Sequence, residues 1–382
     1  MRSRVVIIGC EGYNFNKLVS KIHYGIELAG GVERFFKKGE KILLKPNLLK
    51  ASLPEKCVTT YPLFFKAVAK VLRDFGVQLV YGDSPGFGKP EKVAQRAGLK
   101  EVADEMGIPF VDFENGKEVF ASNTYRSKRL FIANGVLEAD GIVSLPKFKT
   151  HQLTGITCAV KNQLGCIPGL KKAELHVIFS NPESFSQMLI DLNLIIKPRL
   201  YIVDAIDAME GNGPGAGKRY NLGLIVISDD PVAIDSVLSY IVNIDPQEIP
   251  TNKWGEILGL GVSRLEDIEV IGDSIENFRT LSFNTSSVSR IGMGNLASIP
   301  FLRRLLIRKP VVDHNRCKKC GICINQCSVD PKAINWVSKN GEKFLRFDYN
   351  LCIGCFCCQE ACPFDAIYVK TPILNRILDW IG

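Results

Sequence analysis

The feature that most constrains this chain is a run of cysteines that occurs twice. The first copy reads Asp313-His-Asn-Arg-Cys317-Lys-Lys-Cys320-Gly-Ile-Cys323-Ile-Asn-Gln-Cys327. The second reads Asp348-Tyr-Asn-Leu-Cys352-Ile-Gly-Cys355-Phe-Cys-Cys358-Gln-Glu-Ala-Cys362-Pro363. Both follow C-x2-C-x2-C-x3-C, and both lead to an Ala-Ile pair, Ala333-Ile334 and Ala366-Ile367. Three cysteines two residues apart let a tight loop wrap three corners of one iron–sulfur cubane. The fourth, three residues on and carried onto a helix start, reaches the other cubane. The spacing predicts one [4Fe–4S] cluster on Cys317, Cys320, Cys323 and Cys362, and a second on Cys352, Cys355, Cys358 and Cys327. Structural zinc needs only four ligands, commonly as two separated C-x2-C knuckles, and leaves this duplicated set unexplained.

Residues 311 to 370 resemble the bacterial 2[4Fe–4S] ferredoxins. One departure is Cys327-Ser328 where those proteins have Cys-Pro, with Pro331 displaced. Cys357 is an additional thiol, read as a spare, partly buried cysteine. A bare ferredoxin would stop at about sixty residues, whereas this chain has 382. The fusion implies that electrons pass to or from a site in the larger part, or to a partner.

Residues 1 to about 285 read as one α/β domain with a large parallel or mixed sheet. Apolar runs at Val5–Ile8, Ile42–Leu44, Gln78–Tyr81, Gly141–Leu145, Leu200–Val203 and Leu222–Ile227 predict strands. Tyr61–Phe75 and Ser184–Ile196 carry helical periodicity. Several strands run straight into polar loops, where open α/β sheets bind ligands. Lys45-Pro46-Asn47 and Asp83-Ser84-Pro85-Gly86 are two such ends.

After the strand ending at Pro146 come Lys147, Lys149, His151, Lys161, Asn162 and His176. Cations and imidazole beyond a strand suit a phosphate or carboxylate ligand; the bland alternative is a solvated basic loop. Asp204, Asp207 and Glu210 lead into a loop containing Gly211, Gly213, Gly215 and Gly217. Those acids could hold a divalent metal, act as acid and base, or merely turn the chain. The expected catalytic set is Lys147, Lys149, His151, Lys161, Asp204 and Glu210. The expected ligand-binding set is Lys45, Asn47, Asp83, Ser84, Asn162, His176, Gly211 and Gly213. Asp230-Pro231 reads as a helix start, and Asp235 is an acid within an apolar helix. Cys158 and Cys166 read as buried small hydrophobes.

Together K-P-N, the G-D-S turn, P-K-F-K-T-H with T-G-I-T and K-N, M-E-G-N-G-P and D-P-V-A-I-D resemble the DUF362 family. The resemblance covers roughly residues 5 to 240 and implies an iron–sulfur protein without specifying a reaction.

Net charge is +8. Residues 286–310 hold Arg290, Arg303, Arg304, Arg308 and Lys309 without an acid, and read as a basic linker. A solvated face is the simpler account; the sharper ones are a docking surface for an acidic partner, a membrane surface or nucleic acid. Residues 371–382 read as an amphipathic helix. No nucleic-acid-binding motif and no membrane-length apolar run appear. The β-branched N-terminal run reads as a strand, not a signal peptide, so the expected compartment is the cytoplasm.

Overall fold

The computed structural model describes residues 2–285, 308–339 and 341–370. Most of the expected basic linker and the whole expected C-terminal helix lie outside these residues.

Eleven strands precede residue 285: β1 (Ser3–Gly9), β2 (Lys41–Pro46), β3 (Gln78–Tyr81), β4 (Gly116–Phe120), β5 (Arg129–Ala133), β6 (Gly141–Leu145), β7 (Lys147–His151), β8 (Gly155–Thr157), β9 (Leu200–Glu210), β10 (Lys218–Ser228) and β11 (Ile268–Gly272). Nine of them form one sheet ordered β11-β1-β10-β9-β6-β2-β3, with β7 paired to β9 and β8. The sheet is mixed. β9, β6, β2 and β3 run parallel, whereas β10 is antiparallel to both β9 and β1.

Alternate side chains of each strand feed opposite faces. Val6, Ile8, Ile42, Leu44 and Ile227 pack against the helices Phe15–Leu28 and Pro62–Phe75. Val5, Ile7, Val203 and Val226 face the helix Pro231–Ile241. Leu43 and Ile142 face the helix Pro182–Ile196. The result is a three-layer α/β/α body.

Two segments depart from the sequence-based expectation. The stretch expected as a loop after Pro146 is β7, buried along its whole length. The strand expected to end at Val203 continues to Glu210. Charge pairing accounts for both. Lys147 and Asp204 are register partners on adjacent strands, and their side chains meet at 2.8 Å. Asp207 pairs with Arg219 of β10 at 2.9 Å. Residues that look loop-like one at a time are neutralised across the sheet.

Asp230 caps its helix as expected, accepting from the amides of Val232 and Ala233. Asp235 is 1% exposed and accepts from Ala159 N at 2.7 Å and Val160 N at 3.2 Å. It therefore caps the short helix Ala159–Asn162, which carries Lys161 and Asn162.

The cysteine-rich unit has four strands: β12 (Lys309–Val312), β13 (Ile334–Lys339), β14 (Glu342–Phe347) and β15 (Ile367–Lys370). They pair as two antiparallel ribbons, β12 with β15 and β13 with β14. The cysteine repeat is a repeat of backbone conformation too. Lys319 and Gly321 flank Cys320 with positive φ, and Gly354 and Phe356 flank Cys355 in the same way. These left-handed residues turn the chain around each loop. The fourth cysteine of each copy sits just past a short helix rather than at a helix start: Cys327 after Ile322–Asn325, and Cys362 after Cys357–Ala361.

Replacing Asp235 by Ala should strip two buried amides of their acceptor and cost about 2–4 kcal/mol. A lower denaturation midpoint would register it. An unchanged midpoint would show that the cap is not needed to start the Lys161 helix.

Candidate functional site

Six lysines are buried where the strands end: Lys45, Lys50, Lys147, Lys149, Lys161 and Lys172. A buried ammonium needs a counter-charge or oxygen partners, and five have them. Lys45 pairs with Asp83 at 2.8 Å. Lys147 pairs with Asp204, whose carboxylate also receives Tyr13 Oη at 2.9 Å and Tyr61 N at 3.0 Å. Lys149 donates to Asn47 Oδ1 at 2.6 Å and to Val58 O at 2.7 Å. Lys172 donates to Ser84 Oγ at 2.9 Å, to Pro85 O at 2.7 Å and to Ser84 O. Lys50 reaches the cysteine-rich unit. Lys161 is different: among the described residues its ammonium makes neither a hydrogen bond nor an ion pair, Glu360 being only the leading opposite charge that acts on it, and the residue is 8% exposed.

Lys161 lines a cavity of about 240 Å³ whose wall also includes Asn47, Asp83, Ser84, Lys149, Asn162, Lys172 and His176. Gly165 is obligatory in that wall, because a Cβ there would lie 1.8 Å from Asp83 Oδ1. Asn162 ties the wall together, donating to Ser144 Oγ at 2.9 Å and accepting from Asn47 Nδ2 at 3.2 Å. His176 stacks on Phe185 at 4.5 Å between ring centroids, and its buried Nδ1 has no hydrogen-bond partner. Burial, then Lys161, pulls Lys149 down to about 7, and burial pulls Lys172 to about 7. Burial also lowers His176 to about 4, so its ring is neutral at pH 7.

The cysteine-rich unit adds Gln326, Cys357, Glu360 and Ala361 to the wall. Its helix Cys357–Ala361 docks on the body through Glu360, which meets His151 Nε2 at 3.0 Å. His151 Nδ1 accepts from Leu153 N at 3.1 Å and Thr154 N at 3.3 Å, so the ring proton belongs on Nε2 and is donated to Glu360. Burial, then Lys161, lowers His151 to about 4. Burial by itself would raise the Glu360 carboxyl, but Lys161 and His151 outweigh it and hold it well below the usual carboxylate range. Gln359 Nε2 donates to Asn212 O at 3.0 Å and Gly213 O at 3.4 Å. Lys50 donates to Cys362 O at 2.7 Å and pairs with Asp365 at 3.0 Å.

The expected site thus divides into two groups. Lys149, Lys161, Asn47, Asp83, Ser84, Asn162 and His176 share the cavity. Lys45 stands behind it on Asp83. Lys147, Asp204 and Glu210 lie outside its lining. Asp204 is held by Lys147 and two tyrosines, and Glu210 accepts from Asn284 N. His151, expected to be catalytic, has both ring nitrogens engaged and acts at the junction. Of the glycines expected to cradle a ligand, Gly213 belongs to the docking seat, accepting from Gln359, whereas Gly211 is bonded within the body, to Asn284 and Thr150. A Cβ on Gly213 would come within 2.2 Å of Thr150 O.

Sequence reasoning missed Lys172 and Glu360. Lys172 was detectable, since it precedes His176 by four residues on one helix and therefore shares its face. Glu360 gave no signal beyond its place between two cysteines of the repeat. Cys158 and Cys166 are free and fully buried, as their reading as small hydrophobes requires.

Two sulfur-lined pockets lie in the cysteine-rich unit. Cys317, Cys320, Cys323 and Cys362 line one, and Cys327, Cys352, Cys355 and Cys358 line the other. Neither lining contains a carboxylate or an imidazole, so the donor set is thiol only, which suits iron–sulfur clusters. Ala333 N donates to Cys327 Sγ and Ala366 N to Cys362 Sγ, both at 3.3 Å. The repeated Ala-Ile pair therefore supplies an equivalent amide to each crossing sulfur. Such bonds tune cluster potential.

An α/β body joined to a ferredoxin-type unit is the class of protein these features define. The model of the DUF362 domain, a domain of unknown function, matches residues 42–239, and that of a 4Fe-4S dicluster domain matches residues 316–366. The chain belongs to the DUF362 family and carries a 4Fe–4S cluster-binding, electron-transferring domain. It is 35% identical over 267 residues to a thylakoid-associated protein of Synechocystis sp., covering 70% of this chain and 83% of that one. It is 33% identical over 61 residues to a ferredoxin of Methanothermococcus thermolithotrophicus, covering 15% of this chain and 93% of that one. Among solved structures, the lactate racemase apoprotein of Thermoanaerobacterium thermosaccharolyticum aligns with TM-score 0.38 and 16% identity, over 60% of this chain and 55% of that one. No helix among the described residues is long and apolar enough to cross a membrane.

Lys149 and Lys172 ordinarily titrate near 10.5 and sit near 7 here. Between those values the unfolded chain binds more protons, so stability should rise with pH from about 7 towards 10. Lys149→Met should flatten that rise by up to about 1.4 kcal/mol per pH unit. Denaturation midpoints measured across this range test the sign; a slope unaltered by the substitution would show that Lys149 stays charged when buried. His151→Ala should loosen the docked helix, lowering amide-exchange protection at Cys357–Ala361 while the body stays protected.

Proposed function

We propose that two [4Fe–4S] clusters in this chain exchange single electrons with an anionic substrate or cofactor held in the cavity. One cluster would be held by Cys317, Cys320, Cys323 and Cys362, the other by Cys352, Cys355, Cys358 and Cys327. When bound, the clusters supply one-electron chemistry; the residues around the cavity position its occupant. The observation that carries this reading is the helix Cys357–Ala361. It contains Cys358, ends against Cys362, and forms one wall of the cavity. An occupant would therefore contact the segment that binds the clusters.

The body's part is electrostatic. Lys149, Lys161 and Lys172 attract an anion, Asn47 and Ser84 hold two of these lysines in place, and the docked helix excludes water. Electrons would enter or leave through a redox partner protein. A long chain with thiol-rich cluster motifs suits a reducing compartment, which favours the cytoplasm.

Protein purified without oxygen should contain about eight irons per chain and give a reduced-cluster EPR spectrum. Cys327→Ala and Cys362→Ala should each lower the iron content, by about half if the clusters assemble independently. Lys161→Gln should keep full iron content and lose electron exchange with whatever small molecule co-purifies, identified by mass spectrometry. Zinc in place of iron, or undiminished exchange in Lys161→Gln, would defeat the reading.

A further inference from the structure

The cavity's chemistry narrows the anion. This inference rests on the cavity being the ligand site of the proposed function. Three ammoniums, Lys149, Lys161 and Lys172, line a space of about 240 Å³. That is below the usual range for sites enclosing drug-sized ligands, so it suits a small head group and not a whole enclosed dinucleotide or flavin. Two of the three ammoniums are answered only by neutral oxygens, and Lys161 by no partner among the described residues. The Lys45–Asp83 pair cancels internally. The remaining acid in the wall, Glu360, is satisfied on one oxygen by His151. With all three protonated, three positive charges face one negative, a surplus of about two; burial leaves Lys149 and Lys172 only partly charged until an anion draws their protons back.

The surplus is concentrated at one place. Lys161 lines the same cavity as Lys149, Lys172, His176 and Glu360, and its ammonium is the one of the three without a hydrogen bond among the described residues. His176 Nδ1, buried in the same wall, has no partner. A polar atom left bare in a well-packed site costs free energy unless a ligand satisfies it. Convergent charge suits one compact head bearing two charges better than two carboxylates held apart.

We infer that the cavity takes a small molecule with a phosphate-like dianionic head, seated on Lys161 and His176 and flanked by Lys149 and Lys172. Glu360, in the same wall and the leading opposite charge acting on Lys161, excludes a second anionic group and favours a hydroxyl or amine on the body of the ligand.

The test uses the cluster-loaded full chain without oxygen, with radiolabelled inorganic phosphate as the probe in equilibrium dialysis. Phosphate should bind; unlabelled sulfate should displace it, and succinate, with two separated carboxylates, should not. Lys161→Gln should weaken binding by about ten- to a hundredfold, and Lys161→Arg should recover most of it. His176→Phe preserves the stacking on Phe185 and should weaken binding several-fold. Iron content and visible absorbance show that each variant is folded; should Lys161→Gln lose iron, the His176→Phe result decides. Absence of phosphate binding at about millimolar concentration, equal displacement by succinate, or indifference to both substitutions overturns the inference. If phosphate binds in the expected pattern but leaves cluster reoxidation and the EPR spectrum untouched, the electron-transfer reading fails and the anion site stands.

Discussion

An ammonium buried in protein is tolerated only when other groups replace the water it has lost. Six of them meet at the strand ends of this sheet, and their partners dictate much of the local structure. Lys147 and Asp204 lock β7 to β9 across a parallel register. Lys45 and Asp83 tie the end of β2 to the turn after β3, and Gly165 must lack a side chain to fit against them. Lys50 spends its charge on the cysteine-rich unit. Lys161 is the exception, and the cavity is what its exception leaves open.

The ferredoxin-type unit therefore lines the cavity as well as carrying cluster cysteines. Its short helix forms one side of the cavity, and Glu360 brings a carboxylate into a wall otherwise rich in cations. The glycine loop after β9 makes this approach feasible. Gly213 lies against Thr150 and, with Asn212, offers carbonyls to Gln359. A bulkier loop would hold the helix off and open the cavity to water. Docking and the shape of the cavity thus depend on the same contacts.

Lys149 and Lys172 have surroundings that hold them near 7, so each is only partly charged at physiological pH. A bound anion would restore their charge, so binding and protonation reinforce each other. His151 and His176 stay neutral for the same reason, burial beside cations, yet differ in use. His151 spends both nitrogens on the chain itself, whereas His176 keeps one bare.

The sequence by itself determined the local features. The cysteine spacing and its repeat, the strand runs at β3 and β6, and the helix start at Asp230-Pro231 rest on contacts between near neighbours, which spacing records. It also gathered most of the cavity's lysines and histidines into one stretch. What only the tertiary structure decided were pairings between residues far apart in the chain. Lys147 with Asp204 turned an expected loop into a strand. Asp235 capped a helix 76 residues before it. His151 met Glu360 across 209 positions, which moved it from the expected catalytic set to the junction. No periodicity encodes such meetings, because they arise when sheet register and docking bring opposite charges into a space too dry to leave either alone.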